Sequence, residues 1–593
     1  MPGIAAIISR APEEKCRARL DAMLTTMSHE SFYASAVHLA PGLGIYAGAI
    51  KFENGNDGVF FDHDRHVAVI FSGECFLDHQ LVDGKTIVSL YRECAGDFPA
   101  RLNGLFCGLL VDIAARKAFF FNDRYGIQRV YFHEHEGNYY LASEAKALLR
   151  ILPNLRKFDP AGVTDFLTFG CTLEWKTLFK GIEIVPGGSN WIFENGQLTR
   201  VAYFTPQQWE SQPELSATEF EDRFQQTFKR ILPRYFESGS KIGIALTGGL
   251  DTRMIMACRP TKNHTVCYTF SGNNGYTLDD TIAARVANAS GLKHNLLRLE
   301  NDFFFAFSAY ADKTVYVTDG CASVFNTHEI YFNRRARELA TTRLTGNYGS
   351  EILRNVSTLK PVPLSSRLLS PEWRAKVEAR IAELAEWKAQ PLTFAAFKNI
   401  PWNLFGNLAA GRSQVHFRTP YLDNELVALA YQAPDPVRQS SLPSFRVVRK
   451  SDPSLSEIPT DRGFAGTNSG LRFLSRRLFA EATFKLDYYH NEGMPNAFAP
   501  FDPAFKSVGS MFGILGRHKF LHYRSWFRNE LAPFITERLA DSQSQPASFW
   551  DPAFVKRAAA DHVGGRKNYS QEINSILTLA SIDRQLLRDL PRD

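Results

Sequence analysis

Residues 241–253 read Lys-Ile-Gly-Ile-Ala-Leu-Thr-Gly-Gly-Leu-Asp-Thr-Arg. The apolar run from Ile242 to Leu246 has the length of a buried strand. It passes directly into Thr247-Gly248-Gly249-Leu250-Asp251-Thr252, and a helix-like Met254-Ile255-Met256-Ala257 follows. A strand that ends in a glycine turn and opens a helix is suited to holding an anion. The glycines let backbone N–H groups approach the charge, and the helix N-terminus adds its dipole. Thr247 and Thr252 bring hydroxyl donors to the same turn.

Working outward, the segments on the C-terminal side alternate. Thr265 to Phe270 reads as a strand, Asp279 to Ser290 as a helix and Leu296 to Leu299 as extended, which argues for a parallel sheet with helices on both faces. Glu219 to Phe236 is expected to be the helix preceding the glycine turn. Beyond about residue 370 the pattern is mostly helical. The first two hundred residues differ: short strand-like runs (Val67 to Phe71, Phe106 to Val111, Ala118 to Phe121, Tyr139 to Ala142) are punctuated by turn residues, with helical stretches at Leu81 to Cys94 and Glu144 to Arg150. The polar stretch Thr205–Ala217 reads as a linker.

The chain has 593 residues, 45% hydrophobic and 22% charged, which gives ample core for two to four domains. A net charge of +6 is too dilute on this length to argue for nucleic acid, and no basic block is present. No apolar stretch approaches membrane-spanning length, and the N-terminal apolar run is too short for a signal peptide. The eight cysteines form no Cys-x-x-Cys pair and show no metal-ligand spacing with His. A reduced, cytoplasmic protein without nucleic-acid or membrane partners is therefore expected. A homodimer is left open.

The glycine turn lacks the Gly-Lys-Ser/Thr continuation of the Walker pattern. It resembles instead the pyrophosphatase loop (PP-loop), Ser-Gly-Gly-x-Asp-Ser, of enzymes that cleave ATP between the α- and β-phosphates. Four further segments occur in a matching order: Asn122-Asp123-Arg124-Tyr125-Gly126-Ile127, Leu141-Ala142-Ser143-Glu144-Ala145-Lys146, Gly346-Asn347-Tyr348-Gly349-Ser350-Glu351 and Arg418-Thr419-Pro420-Tyr421-Leu422-Asp423. Together they resemble the asparagine synthetase family of class II amidotransferases over nearly the whole chain.

The resemblance implies an α+β N-terminal Ntn-hydrolase-like sandwich at 1–205, a linker at 206–217, and an α/β PP-loop ATP pyrophosphatase domain with a helical C-terminal part at 218–593. It implies ATP and Mg2+ as cofactors. Leu246, Thr247, Gly248, Gly249, Asp251, Thr252, Phe270, Ser271 and Gly346 are the expected ATP and pyrophosphate contacts, with Asp251 and Glu351 on the metal. Arg462, Glu351 and Asn347 are the expected catalytic groups. Arg462 precedes Gly463-Phe464, where the family more often has Lys, and Arg446, Arg449 and Lys450 are nearby alternatives. Arg253 is expected to pair with either a substrate carboxylate or a neighbouring acid.

The departures are as informative as the matches. A working glutaminase of this family carries a nucleophilic cysteine directly after the initiator Met, and here that residue is Pro2. The family's Asn-Gly-Glu reads Ser72-Gly73-Glu74, its Arg near position 45 is replaced by Ile45-Tyr46, and Asp83 remains as a match. The family's Gly-Glu-Gly-Ala-Asp-Glu reads Gly346-Asn347-Tyr348-Gly349-Ser350-Glu351, so a metal-binding Asp becomes Ser350 and an acid becomes Asn347.

The expected function is an ATP-dependent, AMP-forming amide ligase. It would couple a small-molecule or peptide carboxylate to an amine carried by a specialised substrate, as in the related β-lactam synthetases and lasso-peptide cyclases. The alternatives are an ammonia-dependent asparagine synthetase and a non-catalytic ATP-binding scaffold.

Overall fold

The computed structural model describes residues 1–593 apart from 54, 56, 65, 238–240, 261–264, 274, 384–389, 464–470, 503–514, 543–548 and 591–593. The first two hundred residues form two antiparallel sheets. One runs in the order Glu183–Ile184, Tyr131–His135, Asn138–Ala142, Gly3–Ile8, Ile45–Phe52, Tyr33–Ala40. The other runs Gln197–Thr199, Asn190–Glu194, Lys117–Asn122, Asn103–Asp112, Val67–Leu77, Gly58–Asp62.

Period-two alternation decides how these sheets stack. Ile4, Ala6, Ala47 and Leu141 of the first sheet share a core with Ala68, Ile70, Leu109 and Phe120 of the second. The opposite face of the first sheet, with Ala5 and Ile7, packs on Cys16, Leu20, Met23 and Met27 of the helix Glu13–Met27. The opposite face of the second, with Val67, Val69 and Phe71, packs on Ile87, Val88 and Leu90 of the helix Gly84–Cys94. Helix, sheet, sheet and helix are thus stacked in four layers.

The stretch read as a linker is not loose. It contains the single helical turn Gln207–Glu210, and Trp209 is buried there. Its ring lies 4.5 Å from Phe204 and 6.0 Å from both Phe397 and Tyr431, while the Arg124 guanidinium stands over the Phe204 and Trp209 rings. One indole among polar neighbours gives no periodic signal, yet it anchors the connection.

The helix Ala217–Ile231 follows, capped by Ser216, which accepts from the Glu219 N–H. Phe220, Phe224, Phe228 and Ile231 form its buried stripe. It continues as a 3-10 turn, Leu232–Phe236, once Pro233 breaks the α-helical bonding.

The second half is built on a five-stranded parallel sheet in the order His294–Arg298, Thr265–Ser271, Ile242–Ala245, Thr342–Thr345, His416–Arg418. From the central strand Ile242–Ala245 the chain first moves to one side and later returns on the other. Helices follow the strands (Leu250–Cys258, Leu278–Ala289, His328–Leu339, Gly349–Arg354), and the region beyond 370 is largely helical. Among the described residues, no helix is long and apolar enough to cross a membrane. All eight cysteines are free; five are buried and Cys94, Cys258 and Cys321 are half-buried.

The C-terminal helix Ser570–Ile582 buries Glu572, whose carboxylate accepts the Ser365 N–H at 2.9 Å. Burial pushes this carboxyl up to about 7. The folded chain therefore holds the proton more tightly than the unfolded chain. The stability this contributes is present at low pH and is lost as pH rises from about 4.5 through about 7, a difference of about 3 kcal/mol. Glu572→Gln keeps the acceptor and removes the charge. Its unfolding midpoint is expected to equal that of the unaltered chain near pH 4 and to exceed it at pH 8.

Candidate active site

The central strand Ile242–Ala245 has the later strand Thr265–Ser271 on one side and Thr342–Thr345 on the other, so the strand order reverses at its C-terminal end. Parallel sheets bind ligands in the crevice outside such a reversal. Two loops meet there: Leu246–Gly249, leading into the helix Leu250–Cys258, and Gly346–Tyr348, leading into the helix Gly349–Arg354. A Cβ on Gly346 would lie 2.7 Å from the Thr252 nitrogen, and a Cβ on Gly349 would lie 2.5 Å from the Asp251 Cγ. Only glycine permits this approach. Tyr348 between them is buried at φ +73°, a left-handed backbone that non-glycine residues seldom adopt.

The threonines of the first loop are used within it. Thr247 Oγ1 lies 3.2 Å from Thr252 Oγ1 and accepts the Gly249 N–H at 3.2 Å. Leu246 is locked to the sheet, its carbonyl accepting from Thr269 Oγ1 at 2.9 Å. The Gly248 N–H, expected to be free for phosphate, donates to Asp279 Oδ1 at 2.7 Å. Burial, with the like charge of Asp461 adding, pushes the Asp279 carboxyl up to about 6.

Asn347 is held by both loops' surroundings: its side-chain oxygen accepts from Thr345 Oγ1 at 3.0 Å and its carbonyl from Thr419 Oγ1 at 2.8 Å. Thr419 thus ties the Arg418–Asp423 segment to the crevice. Tyr421 of the same segment donates to the Asp251 carbonyl at 2.7 Å. Burial, with the Asp251 charge adding, pushes the Glu351 carboxyl up to about 7.

Arg462 is brought to the crevice by its neighbour: the Asp461 N–H donates to the Gly248 carbonyl at 3.1 Å. The Arg462 guanidinium lies 3.6 Å over the Phe484 ring. Phe464 lies outside the described residues. The alternatives Arg446 and Lys450 point elsewhere, toward Glu221 and Asp222 of the helix Ala217–Ile231.

Three residues expected at the site have side chains that bond or pack within the fold. Among the described residues Arg253 makes no ion pair with an acid. It is buried and donates to the carbonyls of Gly248, Leu455, Ile458 and Pro459, strapping the segment that carries Arg462 onto the glycine turn. Ser271 donates to Asp280 at 2.8 Å and so supports the cap of the helix Leu278–Ala289. Phe270 stacks on Phe332 at 4.5 Å, within the packing beside the sheet.

Arg354 was not singled out by the sequence, because a six-residue helix offers no periodicity to read. Its Nη2 lies 2.9 and 2.7 Å from the two Asp251 oxygens and 2.7 Å from Ser350 Oγ. Burial lowers the Arg354 pKa, but Asp251, with Tyr421 and Glu351 adding, holds it above its ordinary value.

A second site lies between the halves. A cavity of about 70 Å³ is lined by Pro2, Ser72, Glu74, Gln128, Arg412 and Arg418, among others. Both Glu74 oxygens are 2.6 Å from Arg418 nitrogens. Gln128 Nε2 donates to Ser72 Oγ at 3.1 Å, while its oxygen accepts from Arg412. Asp83 is outside this group: it caps the helix Gly84–Cys94 by accepting from Thr86.

Residues 1–204 match the family model described as a glutamine amidotransferase domain. A putative glutamine-hydrolysing asparagine synthetase of Mycobacterium bovis is 24% identical over 328 residues, 51% of this chain and 49% of the relative. Asparagine synthetase 1 of Bacillus subtilis, also glutamine-hydrolysing by name, is 24% identical over 267 residues, 41% of each chain. Over about half its length the chain is thus similar to asparagine synthetases, and its first 204 residues match a glutamine amidotransferase domain. It spans about half the length of the curated relatives it matches. A solved allosteric regulatory enzyme of purine biosynthesis shares 12% identity over 50% of this chain and 64% of its own, with a TM-score of 0.24, too low to add to the fold assignment.

Pro2 thus stands at the position that the resemblance assigns to the glutaminase cysteine, and each Glu74 oxygen already accepts from Arg418. At the crevice, the expected metal set does not fit. Ser350 supplies no carboxylate, both Asp251 oxygens face Arg354, and among the described residues no group of three His, Cys, Asp or Glu side chains could hold a metal.

Proposed function

We propose that this chain is an ATP-dependent amide ligase that forms AMP and pyrophosphate, with residues 218–593 as a PP-loop synthetase domain and residues 1–205 as a glutaminase-like domain without glutaminase activity. The observation that carries the reading is the meeting of the Thr247–Thr252 and Gly346–Asn347 loops at the reversal of strand order. A nucleotide suits this crevice: three glycines line it, a helix N-terminus opens from it, and Arg462 and Arg354 supply positive charge against phosphate.

In this reading a substrate carboxylate oxygen attacks the α-phosphorus of ATP. The bond to the bridging oxygen breaks, and pyrophosphate leaves toward Arg462. An amine then attacks the acyl carbon of the mixed anhydride, loses a proton, and expels AMP. Positioning and charge neutralisation lower the barrier. No step is assigned to a metal on Asp251, since Arg354 is there.

The amine source follows from the other cavity. Pro2 has no thiol, and the Arg418 guanidinium occupies the carboxylate of Glu74, so ammonia from glutamine is not part of the reaction. The amine is carried by a substrate. Asn347 in place of the family's acid accords with an amine other than ammonia.

The purified chain with Mg·ATP and aspartate, given ammonium or glutamine, tests this: AMP, pyrophosphate and asparagine are measured. No asparagine from either is the expected result, with AMP and pyrophosphate appearing once a larger carboxylate carrying its own amine is supplied. Asparagine from ammonium alone would establish an ammonia-dependent synthetase, and asparagine from glutamine would overturn the reading of Pro2. As a sharper check, Pro2→Cys is expected to release no glutamate from glutamine, because Arg418 still holds Glu74. Glutamate release above background by that variant would show that the pocket is intact.

A further inference from the structure

Arg354 is a charge at the crevice that the sequence reading did not single out. Ser350 and Arg354 stand four residues apart on the helix Gly349–Arg354 and so share a face. That face is pressed against Asp251, an approach that Gly349 allows because any Cβ there would lie 2.5 Å from the Asp251 Cγ. Arg354 Nη2 reaches both carboxylate oxygens, at 2.9 and 2.7 Å, and Ser350 Oγ at 2.7 Å, while Ser350 Oγ lies 3.3 Å from Asp251 Oδ2. A divalent ion seeking the same two oxygens would meet a fixed guanidinium.

The other end of the guanidinium is unspent. Arg354 Nη1 is buried and makes no hydrogen bond among the described residues. A buried donor without an acceptor is costly, and a bound water, ion or ligand oxygen would complete it. A guanidinium held through one nitrogen and free at another presents a planar, permanently charged donor, suited to an oxyanion.

We propose that Arg354 is the resident cation of this crevice: it occupies the Asp251 carboxylate in place of a protein-held divalent metal and offers Nη1 to a substrate oxyanion. The oxyanion is either the departing pyrophosphate or the acyl donor's carboxylate. Its naming rests on the ligase reading above; the exclusion of metal from Asp251 does not. The substitution of Ser350 for a carboxylate and the presence of Arg354 then form one exchange, a metal site traded for a guanidinium.

Two titrations of the full chain test this, both without ATP or turnover, so that their failure is distinct from failure of the ligase reading. In the first, free Mn2+ is followed by electron paramagnetic resonance. The unaltered chain is expected to show no site that Asp251→Asn removes, and the Ser350→Asp, Arg354→Ala double variant is expected to gain one. An Asp251-dependent Mn2+ site in the unaltered chain would overturn the proposal.

In the second, inorganic pyrophosphate and malonate are titrated calorimetrically. At least one is expected to bind about tenfold or more weakly to Arg354→Ala, with Arg354→Lys intermediate. Loss confined to pyrophosphate assigns Nη1 to the leaving group, and loss confined to malonate assigns it to the acyl donor. Unchanged affinity for both, or binding of neither by the unaltered chain, overturns the proposal.

Discussion

Gly346→Ala is expected to lower AMP-forming turnover about a hundredfold while leaving the chain folded. The added Cβ would stand 2.7 Å from the Thr252 nitrogen and 2.9 Å from its Cγ2. The first contact is with backbone, which cannot rotate away, so the two loops must separate. That separation pulls Asn347 from its bond to Thr419 and moves the glycine turn relative to the Gly349–Arg354 helix. A displacement near 1 Å is enough for a loss of this size when the reacting groups are held by different loops. The sheet beneath is untouched, because Gly346 lies past the end of the strand Thr342–Thr345. Turnover measured beside the thermal midpoint checks the argument. Full turnover by a folded variant would mean that the two loops do not act together.

Lys146→Met is expected to be the most damaging single change to stability, by about 3–5 kcal/mol. Lys146 is fully buried, with its Nζ 2.5 Å from Glu144 Oε2 and 3.1 Å from Asp319 Oδ1. Asp319, from the second half, also accepts the N–H groups of Ala145 and Lys146 at 2.6 and 3.1 Å. The ammonium is thus the centre of a charge cluster that fastens one half to the other. Removing it leaves Asp319 in a dry interface with only its two backbone N–H donors, while Glu144 keeps the Met1 amine and His29. The comparison with Lys146→Met, Asp319→Asn is diagnostic: the second change removes one stranded charge, so the double variant is expected to unfold at a higher temperature than Lys146→Met alone. A lower midpoint for the double variant would contradict this account.

The parts of this molecule that repeat along the chain were readable from the sequence. The strand–turn–helix at Ile242–Cys258 announces itself by an apolar run followed by Thr247-Gly248-Gly249, and the alternation after it specifies a parallel sheet. The strand-rich character of the first two hundred residues was equally plain. What the sequence does not carry is the outcome of choices between partners. Arg253 had two plausible acceptors as a charged side chain next to a glycine turn; the folded chain gives it four backbone carbonyls instead, because the 455–459 segment is brought over it from two hundred residues away. Gly248 offers an N–H in any strand–turn–helix, but only the folded chain shows Asp279 on it. Arg354 escaped notice for the same reason, since its pairing with Asp251 joins residues 103 positions apart. Trp209 turned an apparent linker into an anchor through contacts with residues near 400 and 430.

The proposed function requires a nucleotide at the reversal of strand order, between the Thr247–Thr252 and Gly346–Asn347 loops. Calorimetric titration with α,β-methylene-ATP and magnesium tests it most directly, because this analogue cannot be cleaved at the bond in question and needs no knowledge of the acyl donor. The account predicts one site per chain whose affinity falls at least tenfold in Gly346→Ala and is unchanged in Pro2→Cys. No binding, or binding that Gly346→Ala leaves intact, would contradict it.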